Sequence, residues 1–330
     1  MKEQVYVTGG TGFVGSNLIR LLLRQGYKVK ALVRRTSSLN NLIGLDVEVI
    51  YGDLTDKNLY REMKGCSALF HVAAQYSLWK SDREVLYQNN VLGTKAVLES
   101  ARQANISRII YTSSVAAIGA GDDGSILDES HQTPVQSLIG AYKQSKYLAE
   151  QEAQKAVKAG QDIVVVNPTS PIGCWDQKPT PTGEIILRFL RRQMPFYLNT
   201  GLNLIDVEDV AWGHLLALRH GSRGKRYILG NENMTLKEIL NSLTTLTGIP
   251  SPAIRIPYWV PYTSAWVDEN VLGKIGKQPS LAVDSVKMAS KKMYYDSSLA
   301  IQELGLPQSP VSDALSKAVE WFKSHGYTES

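Results

Sequence analysis

The chain has 330 residues, 43% hydrophobic and 20% charged, with 36 Lys and Arg against 31 Asp and Glu for a formal net charge of +5. That balance suits one large globular domain or two coupled ones. The positive excess is mild and scattered, which gives a nucleic-acid partner no support and leaves a few charges for an anionic ligand. Two cysteines, Cys66 and Cys174, lack metal or disulfide spacing, as expected in a reducing cytoplasm; "MKEQ" leads straight into a strand-like run rather than a signal peptide, and no apolar stretch reaches the roughly 20 residues of a membrane span.

Strand-like segments, short and mostly apolar throughout, fall at 5–8, 28–33, 47–50, 68–73, 108–113 and 162–167. Strands covered on both faces look like this. Helical spacing runs from Phe13 to a stop at Gly26, and again over 83–104 and 141–159. The alternation predicts an α/β fold: a Rossmann-like doubly wound parallel sheet with helices on both faces and ligands at the carboxyl ends of its strands. After residue 170 the pattern changes. "CWDQKPTPTGE" (174–184) has no period and two prolines, so it is expected to be a loop and the best candidate for a mobile lid, with Thr180 and Thr182 as substrate contacts. Residues 206–221 predict a helix with Asp206 at its N-cap, and Thr235 with Glu238 predicts a capping box. "YWVPYTSAWV" (258–267) is aromatic, short and holds a proline, so a core or pocket segment is expected. The expected organisation is a nucleotide-binding domain over 1–170, with 203–230 returning to it, and a smaller substrate-binding α/β region over 171–202 and 231–330.

"TGGTGFVG" (8–15) joins the first strand to the first helix with Gly9, Gly12 and Gly15 at G-x-x-G-x-x-G spacing. Gly9 permits a tight turn, Gly12 lets backbone approach a pyrophosphate, and Gly15 lets the helix pack closely on the sheet; the amides of Phe13 and Val14 would face the anion. At the end of the second strand, "LVRRTSS" offers no carboxylate for a ribose hydroxyl. Arg34 and Arg35 would instead meet a 2′-phosphate, with Ser37 or Ser38 donating to it, or else they are solvated surface. NADP(H) is therefore favoured, with NAD(H) possible. Asp53 and Leu54 would flank the adenine, unless Asp53 only caps a turn.

Tyr-x-x-x-Lys spacing, which puts both side chains on one helix face, occurs at Tyr60/Lys64, Tyr76/Lys80 and Tyr142/Lys146. Hydride transfer to a carbonyl needs a proton donor. A tyrosine has a pKa near 10, which a lysine ammonium and a cationic nicotinamide nearby would both lower, and a serine can orient the oxygen. The first pair falls in a peripheral helix and the second in a loop, where Tyr76 could line the pocket. The third begins the long helix after a strand tipped by Ser113 and Ser114. On this reading Lys143 and Gln144 are solvated surface. His71, His131, His214, His220 and His325 show no metal-ligand spacing, so no metal is expected, and no nucleophile elbow supports a hydrolase.

"TGGTGFVG", "HVAA" (71–74), "YTSSVAAIG" (111–119) and "YKQSK" (142–146) resemble the short-chain dehydrogenase/reductase superfamily, and "NNVLGT", "NPTSPIG" and "IDVEDVA" resemble its extended, epimerase/dehydratase branch. The likeness runs in order along the chain. It implies Ser114 as catalytic serine, with Ser113 the neighbouring possibility, Tyr142 as acid/base, and Lys146 as its modulator and ribose ligand. Ala73, Ala74 and Pro168 fall at cofactor-lining motif positions. It also implies a small-molecule carbonyl, alcohol or sugar substrate and, in many members, a homodimer. Two subgroups compete: dihydroflavonol-reductase-like enzymes, which place an arginine where Arg34 stands, and proteins called hopanoid-associated sugar epimerases, similar in "YKQSKYLAEQEA", "KPTPTG" and "KKMYYDSS". One departure is Asp206, where extended members often carry histidine.

Overall fold

A computed structural model describes residues 3–121, 124–268 and 283–328. In the first half the strands are β1 (Gln4–Thr8), β2 (Lys28–Val33), β3 (Val47–Tyr51), β4 (Ala68–His71), β5 (Arg108–Thr112) and β6 (Ile163–Pro168). Between them lie helices α1 (Phe13–Arg24), α2 (Leu59–Met63), α3 (Arg83–Leu86), α4 (Gly93–Gln103) and α5 (Gly140–Lys158). The second half adds β7 (Ser170–Ile172), β8 (Phe196–Tyr197), β9 (Gly201–Asp206), β10 (Arg226–Leu229), β11 (Glu232–Thr235), β12 (Ile254–Arg255) and β13 (Lys292–Met293). Its helices are α6 (Pro181–Leu190), α7 (Val207–His220), α8 (Leu236–Thr247), α9 (Trp259–Val267), α10 (Val283–Ala289), α11 (Ser298–Leu304) and α12 (Val311–Ser324).

Seven strands form one parallel sheet in the order β10-β6-β5-β4-β1-β2-β3, the doubly wound arrangement that the alternating pattern predicts. The order reverses at β1, so the crevice beyond the carboxyl ends of β1 and β4 is where a ligand is expected. Alternation along each strand builds two cores. Val5, Val7, Val164 and Val166 face α1 and α7, while Tyr6, Ile163 and Val165 face α4 and α5. Every residue of β4 and β6 is buried, which explains why their sequences are mostly apolar, with His71 and Asn167 as hydrogen-bonded exceptions near the carboxyl ends.

β9 anchors a second sheet, pairing with β7, β11 and β13, while β10 and α7 join the large sheet's side. Beneath the second sheet α6, α8 and α12 share a separate core that includes Phe189, Leu240 and Phe322. The helix caps follow their sequence signals. Asp206 accepts the Glu208 amide at 2.9 Å, and Thr235 and Glu238 form both arms of a capping box. No described helix is long and apolar enough to cross a membrane.

Three expectations need correction. The stretch 83–104 is not one regular helix, because a turn of π-helix, Tyr87–Leu92, separates α3 from α4. The predicted lid loop is shorter than 174–184. Thr180 is the N-cap of α6, with Pro181 in its first turn; its hydroxyl accepts the Gly183 amide at 3.1 Å and donates to Asp176 at 2.8 Å. Thr180 is thereby committed to structure rather than free for substrate, and Thr182 lies within the first turn of the same helix. Thr180→Ala should lower the unfolding free energy by about 1 kcal/mol, read as a lower urea midpoint at unchanged slope. The aromatic segment 258–267 forms α9 and only one face of it packs. Tyr258, Tyr262 and Ala265 meet Val283 and Val286 of α10, whereas Trp259 is 65% and Trp266 51% exposed.

Candidate active site

The turn from β1 into α1 is shaped by contacts that only glycine permits. Gly9 has φ +74°, and a Cβ there would lie 2.6 Å from the Ala73 amide nitrogen. A Cβ on Gly15 would collide with the Gly9 carbonyl. Gly15 therefore seats the helix on the loop itself, not on the sheet as expected. Thr8 holds this corner. Its hydroxyl accepts from the Ala73 amide at 3.2 Å and hydrogen-bonds His71 at 2.7 Å, whose other nitrogen lies 3.0 Å from Thr94. Burial pushes His71 down to about 3, so it is a neutral structural link. No side chain caps α1 at Gly12, and no carboxylate stands in its first turn. An uncapped helix start behind Gly9, Gly10 and Gly12 fits a nucleotide pyrophosphate.

Arg34 follows β2, is exposed and makes no ion pair among the described residues. Arg35 turns toward the Tyr51 ring, 5.7 Å from its centre, and Ser38 accepts the Asn40 amide. The Asp53 carboxylate is engaged in a turn, accepting the Thr55 amide at 3.1 Å and hydroxyl at 3.0 Å. Leu54 packs against Gly93, Ala73 and Ala74 follow β4, and Pro168 ends β6.

Ser114, Tyr142 and Lys146 meet beyond β5. Ser114 caps a short 3₁₀ turn, accepting the Ala116 amide at 3.1 Å, and its hydroxyl lies near enough to the Tyr142 phenol to favour the phenolate. The neighbouring Ser113 hydroxyl is buried without a partner among the described residues. Burial pushes the Tyr142 phenol up to about 12, and Ser114 offsets only part of that. The expected lowering by Lys146 is not seen, because that ammonium donates to the Thr112 carbonyl at 2.9 Å and lies 5.4 Å from the Tyr111 ring centre. Burial pushes Lys146 down to about 8, against a partial upward pull from Glu150. Tyr76 stands edge-on to Tyr142, ring centres 4.7 Å apart. Tyr60 and Lys64 lie apart on α2, the ammonium 5.7 Å over its own tyrosine.

Several site residues escaped the sequence reading. Asn90, in the π-helical turn, accepts the Gln75 amide at 2.7 Å and donates to the Gln75 carbonyl and to Ser145, pinning the segment that carries Tyr76 to α5. Glu150 is buried and pairs with Arg226 at 3.1 Å; Asn167 donates both to Glu150 and to the Ser114 carbonyl, each at 3.0 Å. Glu150 continues the four-residue step of Tyr142 and Lys146, the one signal that could have found it. Lys143 is the largest correction. It is not solvated but 5% exposed, its ammonium 3.8 Å from the Met293 sulfur. Gln144 is half-buried and donates to the Leu138 carbonyl.

Lys143 and Lys146, both pushed down to about 8 by burial, give a pH prediction. Above pH 8 the folded chain sheds these protons while the unfolded chain, with lysines near 10.4, keeps them. Stability should therefore rise between about pH 8 and 9. The rise should slow above that, since the Cys66 thiol, pushed up to about 11, opposes it with one proton against two. Urea midpoints across the range check this.

A family model for the NAD dependent epimerase/dehydratase family matches residues 5–230. A Synechocystis protein named "Putative dihydroflavonol 4-reductase" is 60% identical, the match covering all of this chain and 97% of that protein. "Sterol demethylase protein B" of Methylococcus capsulatus is 33% identical over 97% of this chain and 98% of its own. The crystal structure of gox2253 superposes with a TM-score of 0.88 at 40% identity, covering 99% of each chain. At 19% identity, a UDP-glucose 4-epimerase structure from Thermotoga maritima (TM-score 0.79, 98% of this chain and 99% of that one) shares the fold. This chain belongs to the NAD dependent epimerase/dehydratase family, the extended short-chain dehydrogenases/reductases, and is an NAD(P)-dependent enzyme of the oxidoreductase or epimerase kind.

Proposed function

We propose that the chain is an NADP(H)-dependent carbonyl reductase and alcohol dehydrogenase with dihydroflavonol-reductase-like chemistry. The observation that carries this is the gathering of Ser114, just beyond β5, with Tyr142 in the first turn of α5 and Lys146, whose ammonium reaches the Thr112 carbonyl at the end of β5 at 2.9 Å. Gly9, Gly12, Phe13, Val14 and Gly15 would hold the pyrophosphate, Arg34 the 2′-phosphate, Asp53 and Leu54 the adenine side, and Ala73, Ala74, Pro168 and Lys146 the rest of the nucleotide. The bound nucleotide supplies or accepts the hydride.

Tyr142 gives its phenolic proton to the substrate oxygen and Ser114 holds that oxygen in place. A phenol held near 12 is fully protonated at neutral pH, which suits proton donation during reduction. Glu150 keeps Lys146 charged beside the site, and Asn167 fixes the Ser114 backbone against Glu150. Tyr76, edge-on to Tyr142, borders the space a substrate enters.

Arg34 supports the choice of NADP(H), since it makes no ion pair among the described residues and "LVRRTSS" offers no carboxylate to repel a phosphate. Calorimetric titration should show NADPH binding about tenfold or more tighter than NADH, and Arg34→Asp should reverse that order. Equal affinities in the native chain would overturn the preference. NAD retained through purification, with no response to added nucleotide, would instead favour a sugar epimerase.

A further inference from the structure

Lys143 is a cation in the wrong place for a structural residue. It is 5% exposed, yet it makes no ion pair among the described residues, and its only recorded partner is the thioether of Met293 at 3.8 Å. A thioether is a weak acceptor and cannot replace the water that an ammonium gives up on burial. Buried charges in proteins are paired or hydrogen-bonded, so a buried ammonium without an anion points to a partner that arrives from outside. Burial pushes the amine down to about 8, which leaves it mostly charged at neutral pH.

Its position says which ligand that is. Lys143 follows Tyr142 on α5. Met293 packs on the cluster of Val115, Ile118 and Tyr295, which begins one residue after Ser114. The ammonium therefore sits on the wall that β13 and the turn after β5 present beside Ser114 and Tyr142. The cluster there is hydrophobic, and the Asp284 carboxylate, beside Gly140 one turn earlier on α5, makes no ion pair with Lys143.

We infer that Lys143 forms an anion subsite for the substrate, receiving a carboxylate carried on an apolar body whose carbonyl reaches Ser114 and Tyr142. One ammonium against apolar neighbours matches a single negative charge. A phosphate of nearly two charges takes several donors, which this wall does not supply. The inference rests on the reductase reading for the orientation of the carbonyl, but the anion subsite can be tested apart from it.

The test uses the full chain and two matched probes, 4-phenylbutyrate and 4-phenylbutyramide, titrated calorimetrically at neutral pH into the native chain and Lys143→Met. Methionine keeps the length and apolar contacts of the stem, and unfolding curves confirm that the variant folds. The native chain should bind the carboxylate at least ten times more tightly than the amide, and Lys143→Met should bind both alike. Equal or absent binding of the two probes by the native chain, or a preference that survives in Lys143→Met, would overturn the subsite. Displacement of 4-phenylbutyrate by millimolar inorganic phosphate would overturn its assignment to a carboxylate. NADPH-dependent turnover of 4-oxo-4-phenylbutyrate and its methyl ester separates the two claims. Selective carboxylate binding without turnover of any carbonyl would overturn the reductase reading and leave the subsite standing. Equal KM values for acid and ester, unchanged in Lys143→Met, would do the reverse.

Discussion

Tyr142→Phe should lower turnover by about 10² to 10⁴-fold while leaving nucleotide affinity near that of the native chain. The substitution removes one oxygen. The ring stays packed against Tyr76, and the partners of Lys146 are untouched, since its ammonium is held by the Thr112 carbonyl and not by the phenol. The Ser114 hydroxyl keeps the Ala116 amide. Steady-state rates and fluorescence titration with NADPH check both halves. A variant within about threefold of native turnover would remove Tyr142 from proton transfer.

Glu150→Ala should be the most destabilising single change near the site, by about 3 kcal/mol. Glu150 is 3% exposed and its two oxygens are divided between Arg226 and Asn167. Truncation leaves the Arg226 guanidinium partly buried with only the carbonyls of Glu129 and His131, and removes the one charge that pulls Lys146 upward. Urea unfolding of Glu150→Ala, Arg226→Met and the double variant forms a cycle. The double variant should lose less than the sum of the singles, because the second change removes the orphaned charge. A loss under about 0.5 kcal/mol in Glu150→Ala would make the pair an ordinary surface contact.

The central sheet was legible because its signals are local and repeated. β1 through β6 are short apolar runs bounded by glycines or polar turns, and each lies within a residue or two of its expected limits. That Tyr142 opens the helix after the strand leading to Ser114 was legible too. What stayed hidden depends on partners far along the chain. Lys143 reads as helix surface until β13, 150 residues away, packs over it. Arg226 is 76 residues from Glu150 and comes from a strand the sequence pattern left undefined. Thr180 is a different case. Its Thr-Pro start is a helix N-terminal signature present in the sequence, but the two prolines and the missing period gave the loop reading more weight. Spacing likewise shows that Lys146 lies on the same helix face as Tyr142, not that its ammonium is turned to the Thr112 carbonyl.

The most direct measurement follows one atom. The full chain is incubated with NADPH deuterated at nicotinamide C4 and a panel of apolar ketones and aldehydes, and the products are read by mass spectrometry. The account predicts an alcohol that gains deuterium in step with NADPH consumed in the native chain, and none in Tyr142→Phe. A product that is only an epimer of its substrate, with the added nucleotide unconsumed, or label transfer that persists undiminished in Tyr142→Phe, would contradict it.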